Sequence, residues 1–172
     1  MSHSLAPLVV VQPDDARSFW QPVPANGFVR CLLASHEIGA ETAFSMGSQQ
    51  VDPGCFVREH VHPDNEEVIF VLDGGGEALL DGKDKVPMVK GTCIFIGRGR
   101  AHRFQASDDA PMTFMWLMMP GGLEDFFARI GRERRPGDVQ PPNFPRPADV
   151  LQIEAETVFG QLPPASRGSA ES

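Results

Sequence analysis

The sequence predicts an all-β antiparallel sandwich or barrel, and three observations carry that prediction. From about residue 28 to 120 the chain runs as short stretches of β-branched, aromatic and aliphatic residues. Glycine-rich or acidic turns interrupt those stretches, with Asp81-Gly82 and Lys90-Gly91 as the clearest turn pairs. No helical period competes with them over this span. CFVREHVH, EVIFVLDG, GEALLDG, KVPMVKG, TCIFIG, HRFQAS and MTFMWLMMP are the candidate strands. Gly74 to Gly76 read as a turn, because no G-x-G-x-x-G opens a helix there.

The pattern changes after Pro120. In LEDFFARIGRERR, Leu123, Phe126, Phe127 and Ile130 fall at i, i+3, i+4 and i+7, one apolar helical face, with acids at its start and Arg132, Arg134 and Arg135 at its end. The proline-rich RPGDVQPPNFPRP leads to a second short helix near Ala148 to Phe159, with Pro147 at its first turn. Taken together, 1–172 is one domain, with a barrel core at 40–120, a helical and proline-rich extension at 121–160 and a disordered tail at 163–172.

Composition narrows the function. Fifteen Lys and Arg against 23 Asp and Glu give a net charge of -8, which repels a phosphate backbone and argues against nucleic acid as partner. The opening MSHSLAPLVVVQPDD has no basic n-region and only a short apolar run, and no segment is long and apolar enough to span a bilayer. Cys31, Cys55 and Cys93 are odd in number, far apart and never paired as C-x-x-C, so a reducing cytoplasm is the expected location.

His60 and His62 alternate with Glu59 and Val61 on a candidate strand, so both imidazoles leave one face about 6 to 7 Å apart. Glu67 follows across the polar turn PDNE, and His102 follows the strand TCIFIG and the turn RGRA. Imidazole and carboxylate without thiolate suit one divalent ion such as Fe, Mn, Ni or Zn. Four protein ligands close a tetrahedral zinc site, whereas a six-coordinate metal keeps two positions open. His36 and His3 stand alone and are left outside the site.

These residues resemble the cupins. The first cupin motif is G, five residues, H-x-H, three or four residues, E, six residues, G, and here it reads Gly54-CFVRE-His60-Val61-His62-PDNE-Glu67-VIFVLD-Gly74. The second is G, five residues, P-x-G, two residues, H, three residues, N. Here it reads Gly91-TCIFI-Gly97-Arg98-Gly99-RA-His102-RFQ-Ala106, with Gly97 and Ala106 in place of the proline and the asparagine. Neither departure falls on a family metal ligand. The resemblance implies an antiparallel double-stranded β-helix, or jelly-roll barrel, often dimeric, with His60, His62, Glu67 and His102 holding a metal in the barrel mouth.

Alternation places Phe56 and Arg58 on the inward face with the histidines, and Ile69 and Val71 inward after Glu67. An inward Arg58 needs an internal acid or a substrate carboxylate as partner. The strand MTFMWLMMP turns either Phe114, Trp116 and Met118 or Met115, Leu117 and Met119 inward. Phe56, Arg58, Ile69, Phe104 and Trp116 are thus the expected pocket residues, around a small-molecule substrate. Arg98, Arg100 and Arg103 read as a solvated charge run, and Glu59 as a structural or interface residue on the opposite face.

Cupins host many chemistries. The leading expectation is a non-haem dioxygenase acting on a small enolisable or phenolic substrate, with Glu67 accepting the substrate proton. A redox-neutral lyase, isomerase or cyclase and a ligand-binding cupin without chemistry are the alternatives. A homodimer is expected, while the apolar face of the first helix fits a dimer contact, packing on its own barrel or a cap on the mouth.

Overall fold

A computed structural model describes residues 6–160 and 162; the expected tail at 163–172 and His3 lie outside the described residues. Eleven strands and three short helices are described: β1 (Arg17–Trp20), β2 (Phe28–Ala34), α1 (Ser35–Ile38), β3 (Ser45–Val51), β4 (Phe56–His60), β5 (Glu66–Asp73) and β6 (Gly75–Leu80), then β7 (Asp84–Val89), β8 (Cys93–Ile96), β9 (His102–Ala106), β10 (Met112–Met119), α2 (Leu123–Ile130), β11 (Arg132–Glu133) and α3 (Val150–Ala155). Every pairing is antiparallel. A seven-stranded sheet runs β11-β1-β2-β3-β10-β5-β8, and a four-stranded sheet runs β4-β9-β6-β7. This is the double-stranded β-helix that the motifs imply.

The core fills the space between the sheets. Ile69, Val71, Phe114, Trp116 and Met118 point in from the larger sheet, and Ala78, Met88, Phe104 and Ala106 from the smaller. Phe104 and Phe114 meet edge to face across the gap, with ring centroids 5.5 Å apart. In β10 the strict alternation of buried and half-buried residues settles which set faces inward: Met112, Phe114, Trp116 and Met118. The indole of Trp116 lies over Gly47 of β3, where an added Cβ would come within 2.3 Å of the ring. A glycine at 47 is therefore the condition for a tryptophan at 116.

Turn chemistry follows the sequence closely at one place. Asp81 and Gly82 both take positive φ, 49° and 65°, in the three-residue connection between β6 and β7, where the Lys83 N–H donates to the Leu80 carbonyl at 3.0 Å. The glycine triplet behaves differently. Only Gly74 turns, with φ 69°, while Gly75 and Gly76 are strand residues of β6. Gly76 pairs with Ala106, and a Cβ there would come within 1.9 Å of the Gln105 carbonyl oxygen. A Gly76→Ala substitution must push the two strands apart, and a loss of about 1–3 kcal/mol in urea-unfolding free energy is expected. A loss near zero would mean that β9 yields freely.

Helix α2 ends sooner than its pattern predicts. Gly131 caps it in extended backbone, and Arg132–Glu133 pair with β1 as β11. The arginines expected at a helix terminus instead sit on or beside a strand, because β1 offers an unpaired edge that one more turn of helix would leave open. The buried face, Leu123, Phe126, Phe127 and Ile130, packs on β2 and β3 and meets α3. The second helix spans Val150–Ala155, within the predicted stretch, and the chain turns on through Val158. Among the described residues no helix is long and apolar enough to cross a membrane.

Candidate metal centre

The two sheets meet at the ligands. His60 ends β4 and lies directly opposite His102 at the start of β9, both on the four-stranded sheet, after a register shift between Val57 and His60. Glu67 comes from β5 of the other sheet, opposite Ile96 and Met118. His62 is not on the strand as predicted. β4 stops at His60, and His62 stands in the following loop, where the Gly99 N–H donates to its carbonyl at 2.8 Å. Gly99 takes φ 71°, open to glycine at little cost, so the second motif's glycine pins the first motif's histidine. Gly97, standing for the family proline, still closes its turn through Arg100 N–H to Gly97 O at 3.3 Å.

One ligand atom from each of the four residues lies within 4.8 Å of the others. His102 Nε2 is 3.2 Å and His62 Nε2 3.7 Å from Glu67 Oε2. These three atoms are buried and have no hydrogen-bond partner. A buried polar atom without a partner costs about 1–3 kcal/mol, so three in one spot ask for a common one. The other ring nitrogens supply the tautomer. His60 Nδ1 contacts Arg58 O at 2.7 Å, His62 Nδ1 contacts Val158 O at 2.8 Å and His102 Nδ1 contacts Arg100 O at 3.0 Å. A carbonyl only accepts, so each Nδ1 carries the proton and each Nε2 keeps its lone pair for a cation. The donor set therefore fits a divalent ion held by three imidazoles and a carboxylate.

Burial, and secondarily the neighbouring His102 and His62, holds the His60 imidazole well below its ordinary range; burial does the same to His62. Both rings are neutral in the folded chain at pH 7, ready to bind. Linkage fixes the sign: below pH 6.5 the unfolded chain takes up protons on these histidines that the folded chain refuses. The metal-free protein is thus expected to lose stability as pH falls through 6.5 and to level off below the folded-state values, which urea titrations across that range read directly. A pH-independent midpoint would contradict neutral burial.

Beside the centre opens a pocket that His60 and Glu67 line. Its walls are largely aromatic: Phe56 of β4, Phe104 of β9, Phe114 of β10, Phe126 and Phe127 of α2, and Phe159 after α3. Helix α2 thus packs on its own barrel and forms a pocket wall. Phe159 stands 5.1 Å from the His60 ring and 5.0 Å from the His62 ring, and 4.2 Å from Phe126. Of the expected pocket residues, Phe56, Arg58 and Phe104 line it; Ile69 and Trp116 are wholly buried in the core and do not.

Arg58 reaches the rim and ion-pairs with Glu154 of α3, whose carboxylate also takes Arg146. The acid that Arg58 needs comes from the C-terminal extension. Arg100 pairs with Asp81 and Arg103 lies 4.2 Å over the Phe56 ring, and neither arginine lines the pocket. Glu59 lines an outer cleft with Arg58 and Leu151. His36 stands 3.7 Å from Glu124, away from the centre. Cys31, Cys55 and Cys93 are free, and burial pushes the Cys31 thiol up to about 12, which leaves it inert at pH 7.

Sequence reasoning missed Gln21 and Gln49, which also line the pocket. Gln49 belongs to β3, whose inward residues are Ser45, Gly47, Gln49 and Val51, too polar a set to register as a core strand. Val158 was missed too, since a backbone carbonyl 96 residues from its partner leaves no local trace.

The fold and site together define a small double-stranded β-helix with a three-histidine, one-carboxylate centre in its mouth. Residues 47–118 match the cupin domain, and the chain belongs to the cupins. It is 34% identical over 102 residues to the protein SchB of Streptomyces halstedii, covering 57% of this chain and 72% of SchB. It is 26% identical over 95 residues to the tetracenomycin polyketide synthase protein TcmJ of Streptomyces glaucescens, and 34% identical over 95 residues to the polyketide synthase CurC of Streptomyces cyaneus. Each match covers 55% of this chain, and the chain spans only 62% of TcmJ and 60% of CurC. A predicted oxalate decarboxylase from Thermotoga maritima shares the fold, with a TM-score of 0.54 and 21% identity over 65% of this chain and 99% of that one.

Proposed function

We propose that this cupin is a metal-dependent enzyme acting on a small enolisable or phenolic substrate, with dioxygenation as its reaction. The observation that carries the reading is the set of partnerless ligand atoms, His62 Nε2, His102 Nε2 and Glu67 Oε2, at the edge of a pocket walled by phenylalanines. A divalent ion held there would supply Lewis acidity toward a substrate oxygen and, if it is iron, electrons for dioxygen. The chain's own residues do the rest. Phe56, Phe104, Phe114 and Phe159 bind a flat apolar body and exclude water. Glu67, which faces both the centre and the pocket, accepts the proton of an enol or phenol. The Arg58–Glu154–Arg146 cluster holds the rim closed across β4 and the C-terminal extension.

Redox-neutral cyclisation or isomerisation is the second reading, favoured by the likeness to TcmJ and CurC, whose names place them with polyketide synthases. Carbonyls on alternate carbons acidify the methylene between them, and proton transfer by Glu67 alone serves that chemistry. The test is turnover by metal-loaded protein on a panel of β-diketones and phenols, followed with an oxygen electrode. Oxygen uptake with product formation supports dioxygenation, and turnover unchanged without oxygen supports the second reading. Stoichiometric binding without turnover overturns both in favour of a ligand-binding cupin. The homodimer is likewise a proposal, to be tested by sedimentation velocity; Phe70, Leu72 and Phe95 expose apolar surface on the outer face of β5 and β8.

A further inference from the structure

The wall of the pocket formed by β3 and the loop before β2 carries two glutamines that neither motif includes. Gln21 and Gln49 are 5% and 6% exposed, and both line the pocket. Buried amides are costly unless their donors and acceptors are matched. Gln21 is matched and therefore oriented: its Nε2 donates to the Asn26 carbonyl at 2.7 Å and to the Gln50 carbonyl at 2.8 Å. Both acceptors are backbone oxygens, so this end of Gln21 must be the NH2, and its Oε1 must face the other way. Gln49 Nε2 donates to that Oε1 at 2.5 Å. A flipped Gln49 would set two oxygens against each other. Its polarity is thus fixed by two backbone carbonyls through Gln21.

The consequence is a carbonyl oxygen, Gln49 Oε1, held on the pocket wall without a partner among the described residues. Its cross-strand neighbour on β10, Phe114, offers it nothing. We infer that Gln49 is a specificity-determining residue whose Oε1 accepts a hydrogen bond from a hydroxyl of the bound molecule, with Gln21 as its positioning residue. The ligand class is therefore a hydroxylated aromatic or enol rather than its ether, since an ether oxygen can only accept and would face Oε1 unpaired. This rests on the aromatic-pocket reading above and adds to it a hydroxyl on the side that meets β3.

The test compares resorcinol and 2,7-dihydroxynaphthalene with their monomethyl ethers, which all keep one hydroxyl for the centre, on full-length, zinc-loaded protein by titration calorimetry, in the wild type, Gln49→Met and Gln21→Met. The expected result is a preference of about tenfold for each hydroxyl compound over its ether in the wild type, reduced to about one in both variants, with the ethers binding as before. Unchanged ether affinity is the internal sign that a variant is folded with its pocket intact. An equal affinity of the wild type for hydroxyl and ether, or a preference that survives in Gln49→Met, overturns the role of Gln49 and leaves the aromatic pocket standing. Failure of the wild type to bind any of the four overturns the aromatic-pocket reading and this inference with it.

Discussion

His102→Ala is expected to cut metal affinity by at least about 100-fold, more than the 10–100-fold typical of losing a residue that only supports a ligand. His102 is wholly buried, its Nδ1 held by the Arg100 carbonyl and its Nε2 3.2 Å from Glu67 Oε2. Alanine there removes one donor and leaves the Glu67 carboxylate facing empty space. The other ligands cannot move in, because His62 is tied to the Val158 and Gly99 backbones and His60 to the Arg58 carbonyl. Competition with a chromophoric chelator gives the affinity, and circular dichroism shows whether the barrel survives. A variant that folds and binds as tightly as the wild type would remove His102 from the centre.

The largest stability effect is expected at Trp116, where alanine should cost about 3–5 kcal/mol. The ring is fully buried between Gly47 and Phe127, whose centroid lies 5.9 Å away. Trp116→Phe should cost far less: the indole Nε1–H is buried without a partner, so no hydrogen bond is lost with it. Leu117→Ala, on the half-buried face of the same strand, should also be mild. Urea midpoints of the three variants check the order, and an equal loss at 116 and 117 would contradict the inward set assigned to β10.

These two residues mark how far the sequence was legible. The four candidate ligands could be named from their spacing together with the two cupin motifs, which carry those residue types at fixed intervals along the chain. Trp116 could not be placed, since either alternation of MTFMWLMMP is equally apolar; Gly47, on a neighbouring strand, decides it. The same holds for Gly76, a strand residue because the Gln105 carbonyl approaches, for Gly75, which meets the Met88 carbonyl, and for Arg132–Glu133, drawn out of helix by the edge of β1. His62 fell outside its predicted strand because its restraints come from Gly99 and from Val158, far along the chain. Much of the pocket wall, including Gln21, α2 and Phe159, lies outside residues 47–118. What a cupin motif predicts is the centre, and what it leaves unspecified is what the centre receives.

The claim on which the rest depends is that His60, His62, Glu67 and His102 hold one divalent ion. X-ray absorption on the full chain loaded with a single equivalent of zinc tests it most directly. The structure predicts a shell of nitrogen and oxygen near 2.0–2.1 Å, with the outer-shell scattering of three imidazoles and no sulfur. A sulfur shell, fewer than three imidazoles, or failure to retain the zinc would contradict it.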